Sequence, residues 1–156
     1  MSGVFRFGNQ HDPVTLRLDY ATGPWELALA ATADGNASGD DVYIPSPASI
    51  GDGMSITIAY ARRLGEVRLT AFDEQLSPQK PIRTEWRQQQ NQSQIVAIYS
   101  KATFASIGEL RVQKRAINTV EFRDVPLQPD AGTSVRAFVN GQEHPSGDDK
   151  KPAKPN

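Results

Sequence analysis

The feature that most constrains this chain is a strict alternation of apolar and polar side chains, which recurs in several separate runs. Every second residue is apolar at 14–20, and the same pattern returns at 54–61. A period of two places successive side chains on opposite faces of an extended chain, so these runs predict half-buried β-strands. The run at 94–99 is apolar at nearly every position, which predicts a central strand buried on both faces.

Turn residues between these runs predict which strands pair. Ala-Thr-Gly-Pro at 21–24 separates the first strand from a run that begins at Trp25, and we predict a hairpin there. Arg-Arg-Leu-Gly at 62–65 predicts a second hairpin, between 54–61 and 67–71. About ten such strands at near-regular spacing predict an all-β fold. We expect an antiparallel β-sandwich of jelly-roll or immunoglobulin-like outline, with a closed β-barrel as the alternative.

Length and composition indicate a single domain followed by a tail. A chain of 156 residues is long enough for one core. Residues 143–156 contain no apolar side chain larger than proline, so this segment cannot bury enough surface to offset its chain entropy. We therefore predict one β-sandwich domain at 1–142 and a disordered polar tail or linker at 143–156.

Composition also argues against several classes of function. There are no cysteines, which excludes disulfides, thiolate metal sites and cysteine nucleophiles. The 17 Lys and Arg residues are balanced by 18 Asp and Glu residues, so no basic excess points to nucleic acid. No apolar run approaches the roughly 18 residues that a membrane span needs, and no membrane insertion is expected.

No motif of a catalytic nucleophile or a phosphate-binding loop occurs, and we predict that the chain is not an enzyme. Its two histidines, His11 and His144, lie in a predicted turn and at the edge of the predicted tail. Acidic residues such as Glu85 and Glu121 leave one lesser alternative, a glycan-acting enzyme that uses paired carboxylates.

Three aromatic residues are the candidate ligand-binding residues. Trp86 lies between two charged residues, whereas Phe72 and Phe138 fall out of phase with the inward residues of their strands. An exposed aromatic cluster would mark a binding face for a glycan or a protein. Partial covering of both sheet faces is the alternative. Tyr20 and Trp25 fall on the inward phase and are predicted to lie in the core.

The acidic loop at 34–41 is the candidate metal site. Asp34, Asn36, Asp40 and Asp41 offer the hard oxygen donors that calcium prefers. Their spacing departs from the EF-hand pattern, and the same residue types form ordinary exposed turns. Calcium is thus the one cofactor that the sequence suggests, with a plain turn as the alternative.

Arginine dominates the cations of the predicted strands. On an outward strand position, arginine commonly pairs with a carboxylate of the neighbouring strand, and we expect such cross-strand pairs here. Such faces could also bind protein, because interfaces are enriched in arginine and aromatic residues.

Residues 120–127 read Val-Glu-Phe-Arg-Asp-Val-Pro-Leu, which resembles the closing strand of bacterial jelly-roll, lectin-like modules. The resemblance covers eight residues and implies a β-sandwich with an extracytoplasmic binding role. It does not identify a family.

Taken together, these patterns favour a non-catalytic binding module, extracytoplasmic (periplasmic or at the cell surface), that recognises a glycan or a protein through a sheet face or a loop. The alternative is a structural or assembly subunit that forms homo-oligomers through its edge strands and arginine-rich faces.

Overall fold

The computed structural model describes residues 2–5, 13–89, 92–126 and 134–145. These residues form fifteen strands, one α-helix, α1 (Lys101–Ala105), and one 3₁₀ helix (Arg62–Leu64), which confirms the all-β prediction. The strands are β1 (Ser2–Phe5), β2 (Val14–Ala21), β3 (Glu26–Thr32), β4 (Ala37–Ser38), β5 (Val42–Ile44), β6 (Ala48–Ile50), β7 (Gly53–Ala61), β8 (Glu66–Asp73), β9 (Pro78–Gln79), β10 (Arg83–Gln88), β11 (Gln92–Ser100), β12 (Ile107–Arg115), β13 (Ile117–Val125), β14 (Arg136–Val139) and β15 (Gln142–His144).

The chain divides into two compact units. Unit 1 comprises Met1–Thr22 and Ile117–Asn156, and unit 2 is the intervening segment Gly23–Ala116. The single domain at 1–142 therefore stays a prediction. The last strand reaches His144, two residues beyond the predicted end of the domain at 142, and 146–156 lie outside the described residues.

Unit 2 is a sandwich of two open antiparallel sheets. One sheet has the strand order β10-β11-β7-β5-β4, with β6 also paired to β7, and the other has the order β3-β12-β8-β9. Apolar side chains of both sheets share one core, as two packed sheets require. Its members are Val42, Ile44, Ile56, Ile58, Ile95, Ala97 and Tyr99 from the first sheet and Val67, Ala71, Ile107, Leu110 and Val112 from the second. The sheets are open in the described residues, so the barrel alternative is wrong.

The predicted central strand is confirmed. β11 lies between β10 and β7, and three consecutive residues, Ile95, Val96 and Ala97, are buried. Tyr99 is buried at the end of the same strand, where desolvation raises its pKa to about 12. The phenol therefore stays neutral, as a core position requires.

Both predicted hairpins are wrong. β2 pairs with β1 and β13, whereas β3 pairs with β12. β7 and β8 belong to opposite sheets of unit 2, and the 3₁₀ helix at Arg62–Leu64 carries the chain between them. Gly65 follows this helix with φ +88°, a backbone conformation that glycine adopts readily. A connection this short can close a hairpin or join two sheets, so its length does not determine the pairing.

A β-bulge interrupts the alternation of side chains along β3, so a strict period of two does not predict its inward face throughout. Val112 of β12 pairs with Leu29, but the next residue, Gln113, pairs with Leu27, so Ala28 is the extra residue. An extra residue shifts the alternation by one position. Leu27 therefore lies on the outer face and is 58% exposed. Trp25, also predicted to lie in the core, is half-buried and outside the core cluster.

The described strands of unit 1 form one antiparallel sheet in the order β1-β2-β13-β14-β15. Alternation along β2 places Leu16, Leu18 and Tyr20 on one face and Arg17 and Asp19 on the other. Leu18 and Tyr20 are each 38% exposed, so Tyr20 is not the core residue that the alternation predicted. The apolar face of this sheet is thus partly open to solvent.

Candidate functional site

The most exposed aromatic side chain that sequence reasoning selected is Trp86, which is 69% exposed. It lies on β10, at the edge of the six-stranded sheet, opposite the core residue Ile95. Thr84, two residues earlier, is opposite the core residue Ala97. Because side chains of paired residues lie on the same face of a sheet, Thr84 and Trp86 belong to its inner face. Trp86 is therefore an inward-phase residue that the sandwich leaves uncovered.

A groove of about 150 Å³ runs beside Trp86. Its sides come from β8 and β10, and its base comes from two buried core residues of β11. We call it the Trp86 groove and define it by six residues: Val67, Leu69, Thr84, Trp86, Ile95 and Ala97. An apolar cavity of about this volume accommodates a benzene-sized group. The groove can therefore take one apolar side chain or the flat face of one small ring.

Charged side chains lie on the other face of β10. Arg83 and Arg87 both form ion pairs with Glu85, at 2.8 and 2.9 Å. The hydrogen bond from Arg87, and then the charge of Arg83, lower the pKa of the Glu85 carboxyl. Lys80 precedes the strand. Three cationic side chains therefore accompany Glu85 along this edge, whereas the guanidinium of Arg68 is engaged by Trp25 and Gln113.

The three predicted aromatic residues lie on three different sheets. Phe72 lies on the opposite sheet, where the guanidinium of Arg111 covers its ring at 4.6 Å. Phe138 belongs to unit 1 and is only 8% exposed, with the Arg123 guanidinium 4.0 Å from its ring centre. For Phe138 the alternative of a covered sheet face therefore applies, because long cationic side chains can cover an outward ring.

The other tryptophan shows the same covering in a stronger form. The guanidinium groups of both Arg68 and Arg115 contact the ring of Trp25, at 4.2 and 4.5 Å from the ring centre. Arg115 also pairs with Glu66 on the neighbouring strand. Cation–π contacts of this kind contribute about 0.5–1 kcal/mol each at exposed sites. The ring of Trp25 is thus covered by arginine side chains of β8 and β12, in contrast to the ring of Trp86.

The four predicted calcium ligands are divided between two turns, with β4 between them. In the first turn, the Thr32 hydroxyl donates a hydrogen bond to Asp34, and this bond lowers the pKa of that carboxyl. Asn36 follows with φ +57°. In the second turn, Asp41 accepts a hydrogen bond at 3.0 Å from Nε of Arg63. Within the part of the chain that the structure describes, no three His, Cys, Asp or Glu side chains are placed to hold a metal ion.

A second groove lies beside the turn that contains Asp40 and Asp41. It has a volume of about 470 Å³ and is lined by that turn, by Tyr43 and by Gln92. Tyr43 is 45% exposed, and sequence reasoning missed it as a surface ring. The sequence Val-Tyr-Ile of β5 alternates, with both aliphatic residues buried and the tyrosine between them on the outer face. A three-residue strand is nevertheless too short for alternation to be informative.

The polar face of unit 1 forms a third groove, of about 650 Å³, and bears on the enzyme alternative. Asp19 and Glu121 both line it, but each carboxylate is already paired: Asp19 with Arg17 at 3.1 Å and Glu121 with Arg123 at 2.8 Å. A hydrogen bond from Thr119, and then one from Arg17, lower the pKa of Asp19. A glycosidase general acid needs a raised pKa. Asp19 is therefore perturbed in the wrong direction for that role.

The arginines of the described strands form ion pairs of two kinds. Carboxylates two residues away on the same strand bind Arg17, Arg83, Arg87, Arg111 and Arg123. The expected pairs between neighbouring strands also occur, Arg115 with Glu66 and Arg136 with Asp124. Among these residues, the pairs within one strand outnumber the cross-strand pairs. Pairs within one strand neutralise each face locally, which is unfavourable for binding to a phosphate backbone.

Comparisons with models of known protein families, with curated proteins and with solved structures found no match for this chain. Among the described residues, no helix combines the length and apolar character that crossing a membrane requires.

Proposed function

We propose that this chain is a non-catalytic binding module that recognises a protein or a glycan through the Trp86 groove. The observation that carries the proposal is the 69% exposure of an inward-phase tryptophan beside a groove that reaches the core of unit 2. Exposed aromatic side chains beside an apolar pocket are typical anchors of recognition sites. An extracytoplasmic location remains part of the proposal, on the resemblance of residues 120–127 alone.

The contrast between the two tryptophans supports this proposal. Two guanidinium groups cover Trp25, whereas Trp86 retains a free face although Arg83 and Arg87 lie on the same strand. Both of those arginines are held by Glu85, on the other face of β10. Because Glu85 holds both arginines on the face opposite to the indole, the Trp86 ring is available to a ligand.

The test is a binding screen on paired proteins. The full chain and its Trp86→Ala variant are compared against arrayed soluble glycans and against a displayed library of random peptides. We expect ligands that bind the wild-type chain and lose about 2 kcal/mol or more of binding free energy in the variant, as for an aromatic anchor. Ligands that bind both proteins equally would refute a role for Trp86.

A structural or assembly subunit is the second candidate, favoured by a different observation. On the apolar face of the unit 1 sheet, Leu18 and Tyr20 are each more than a third exposed. An apolar sheet face normally packs against another layer. Sedimentation at increasing protein concentration tests this candidate: a stable dimer or larger oligomer that Leu18→Asp abolishes would favour assembly. A monomer at every concentration would remove it.

A further inference from the structure

We infer that the ligand of the Trp86 groove is an extended, acidic polypeptide segment that pairs with the free edge of β10 and inserts one apolar side chain beside Trp86. The inference rests on the proposed function and adds the chemical class of the ligand. Three observations carry it: the unpaired strand edge, the size of the groove and the charge around it.

The edge of β10 differs from the other three sheet edges of unit 2. The edge strands β4 and β9 are two residues long, and β3 carries the bulge at Ala28. Short and bulged edges are common means of preventing unwanted strand pairing. β10 instead pairs with β11 over six regular residue pairs, and no described strand pairs with its other side. It is the long, regular edge of this unit.

No proline within β10 and no charged side chain on its inner face blocks that edge. Proteins protect edges with inward-pointing charges or with proline inside the strand. Here the inward positions hold Thr84 and Trp86, while the charged residues lie on the other face, and Pro81 precedes the strand. An edge of this kind presents N–H and C=O groups at the spacing of an extended backbone. A polypeptide matches that repeat, whereas a glycan has no regular series of amides.

The groove and the charges then specify the segment. A volume of about 150 Å³ beside Trp86 accepts one leucine- or phenylalanine-sized side chain. Lys80, Arg83 and Arg87 accompany a single acid, Glu85, along β10, so a segment with acidic residues is complementary in charge. Such complementarity chiefly sets specificity and the association rate. The expected ligand alternates acidic or polar residues with an apolar anchor.

The experiment uses the full chain and random linear peptides of about twelve residues, enough to span a strand of this length. Phage selection on the wild-type chain, with counter-selection on Trp86→Ala, should enrich acidic peptides with alternate apolar residues. Each selected peptide is then made in three forms: unmodified, N-methylated at alternate backbone amides, and with its acids replaced by lysine. N-methylation removes hydrogen-bond donors and should weaken binding by roughly tenfold or more.

Variants of the protein test the charge requirement. Replacing both arginines, Arg83→Gln with Arg87→Gln, should weaken the acidic peptides by roughly tenfold and reduce their sensitivity to salt. Arg17→Gln is the matched control, because Arg17 also pairs with a carboxylate two residues away but belongs to unit 1. Arg17→Gln should leave the affinity for the selected peptides and its salt dependence unchanged. Circular dichroism melts establish that every variant is folded.

Hydrogen exchange locates the binding site directly. On adding a selected peptide, the backbone amides of Arg83–Gln88 should gain protection, while those of the edge strand β3 should not. Protection at another strand, or affinity that survives N-methylation, would overturn the inference. If binding still required Trp86 in either case, the proposed function would stand without a strand-pairing ligand. Binding indifferent to Trp86 would refute both.

Discussion

Unit 1 and unit 2 are built from the same kind of alternating strand, but their apolar faces meet different surroundings. In unit 2, side chains from two sheets enclose a common core in which Ile56, Ile58 and Leu110 are completely buried. In unit 1, alternate residues of β2 leave Leu18 and Tyr20 more than a third exposed. Alternation therefore tells which face of a strand is apolar, and it does not tell whether a second layer covers that face.

The largest effect that should separate the two units is the cost of truncating a leucine. Leu110→Ala removes a completely buried side chain of unit 2 and should destabilise the protein by about 2–5 kcal/mol. Leu18→Ala in unit 1 should cost less than about 1 kcal/mol, because the side chain already contacts water. Urea unfolding followed by circular dichroism measures both variants. Equal costs would mean that the face containing Leu18 is covered in solution.

A smaller effect should separate the two tryptophans of unit 2. Trp25→Ala removes a half-buried ring and two guanidinium contacts, and we expect a loss of about 2–3 kcal/mol of unfolding free energy. Trp86→Ala should cost less than about 1 kcal/mol, because its ring is mostly exposed. Circular dichroism is the suitable probe, since each variant removes a fluorophore. Trp25→Phe keeps an aromatic ring in contact with the arginines and should recover part of the loss.

The opposite result for this pair would be informative. If Trp86→Ala destabilised the chain as much as Trp25→Ala, the indole would be sealing the core of unit 2. The Trp86 groove would then be a structural feature, and the contrast on which the proposed function rests would disappear.

The strands were predictable because alternation depends on local sequence alone. Residues 14–20 and 54–61 form β2 and β7, and the continuous apolar run at 94–99 lies within the buried strand β11. Their partners were not predictable, because the connection at 62–65 has the length of a hairpin loop and yet joins two sheets. A partner is selected by packing across the whole core, and a short turn carries little of that information.

The candidate site was predictable only in part, for a related reason. Trp86 was selected because charged residues flank it on a strand that becomes polar. Its exposure depends on the sandwich leaving one inner-face position uncovered, which is a property of the opposing sheet. The covering of Phe138 likewise depends on Arg123 of the neighbouring strand. Neither fact is contained in the local pattern around the aromatic residue.

Acid should weaken both units gradually, through carboxylates whose pKa is lowered in the folded state. Hydrogen bonds from Thr119 and from Arg111 lower the pKa of Asp19 in unit 1 and of Glu109 in unit 2. A lowered folded pKa gives stability that is present above the ordinary values, 3.8 for Asp and 4.5 for Glu, and is lost as the pH falls through the lowered values. The melting temperature should therefore fall as the pH is lowered from about 6 to about 2.5.

Two variants assign this acid response to the units. Asp19→Asn and Glu109→Gln should each flatten the pH dependence slightly, because each amide has no proton to take up in this range. The two effects should be comparable, since both carboxylates are accessible to solvent and paired with an arginine. A flattening confined to one variant would show that only that unit opens in the acid transition.

Calcium should have the smallest effect on stability, because two of the predicted calcium ligands already accept hydrogen bonds from other residues of unit 2. Thr32 donates to Asp34 and Arg63 donates to Asp41, so a cation would have to displace both partners. A ligand at a hundredfold excess over its Kd stabilises the folded state by about 2.7 kcal/mol, a shift of several degrees. We expect no such shift on adding calcium. A rise in melting temperature with calcium that Asp40→Asn abolishes would instead show that the two turns rearrange around the ion. Unit 2 would then be stabilised by a bound ion as well as by its core.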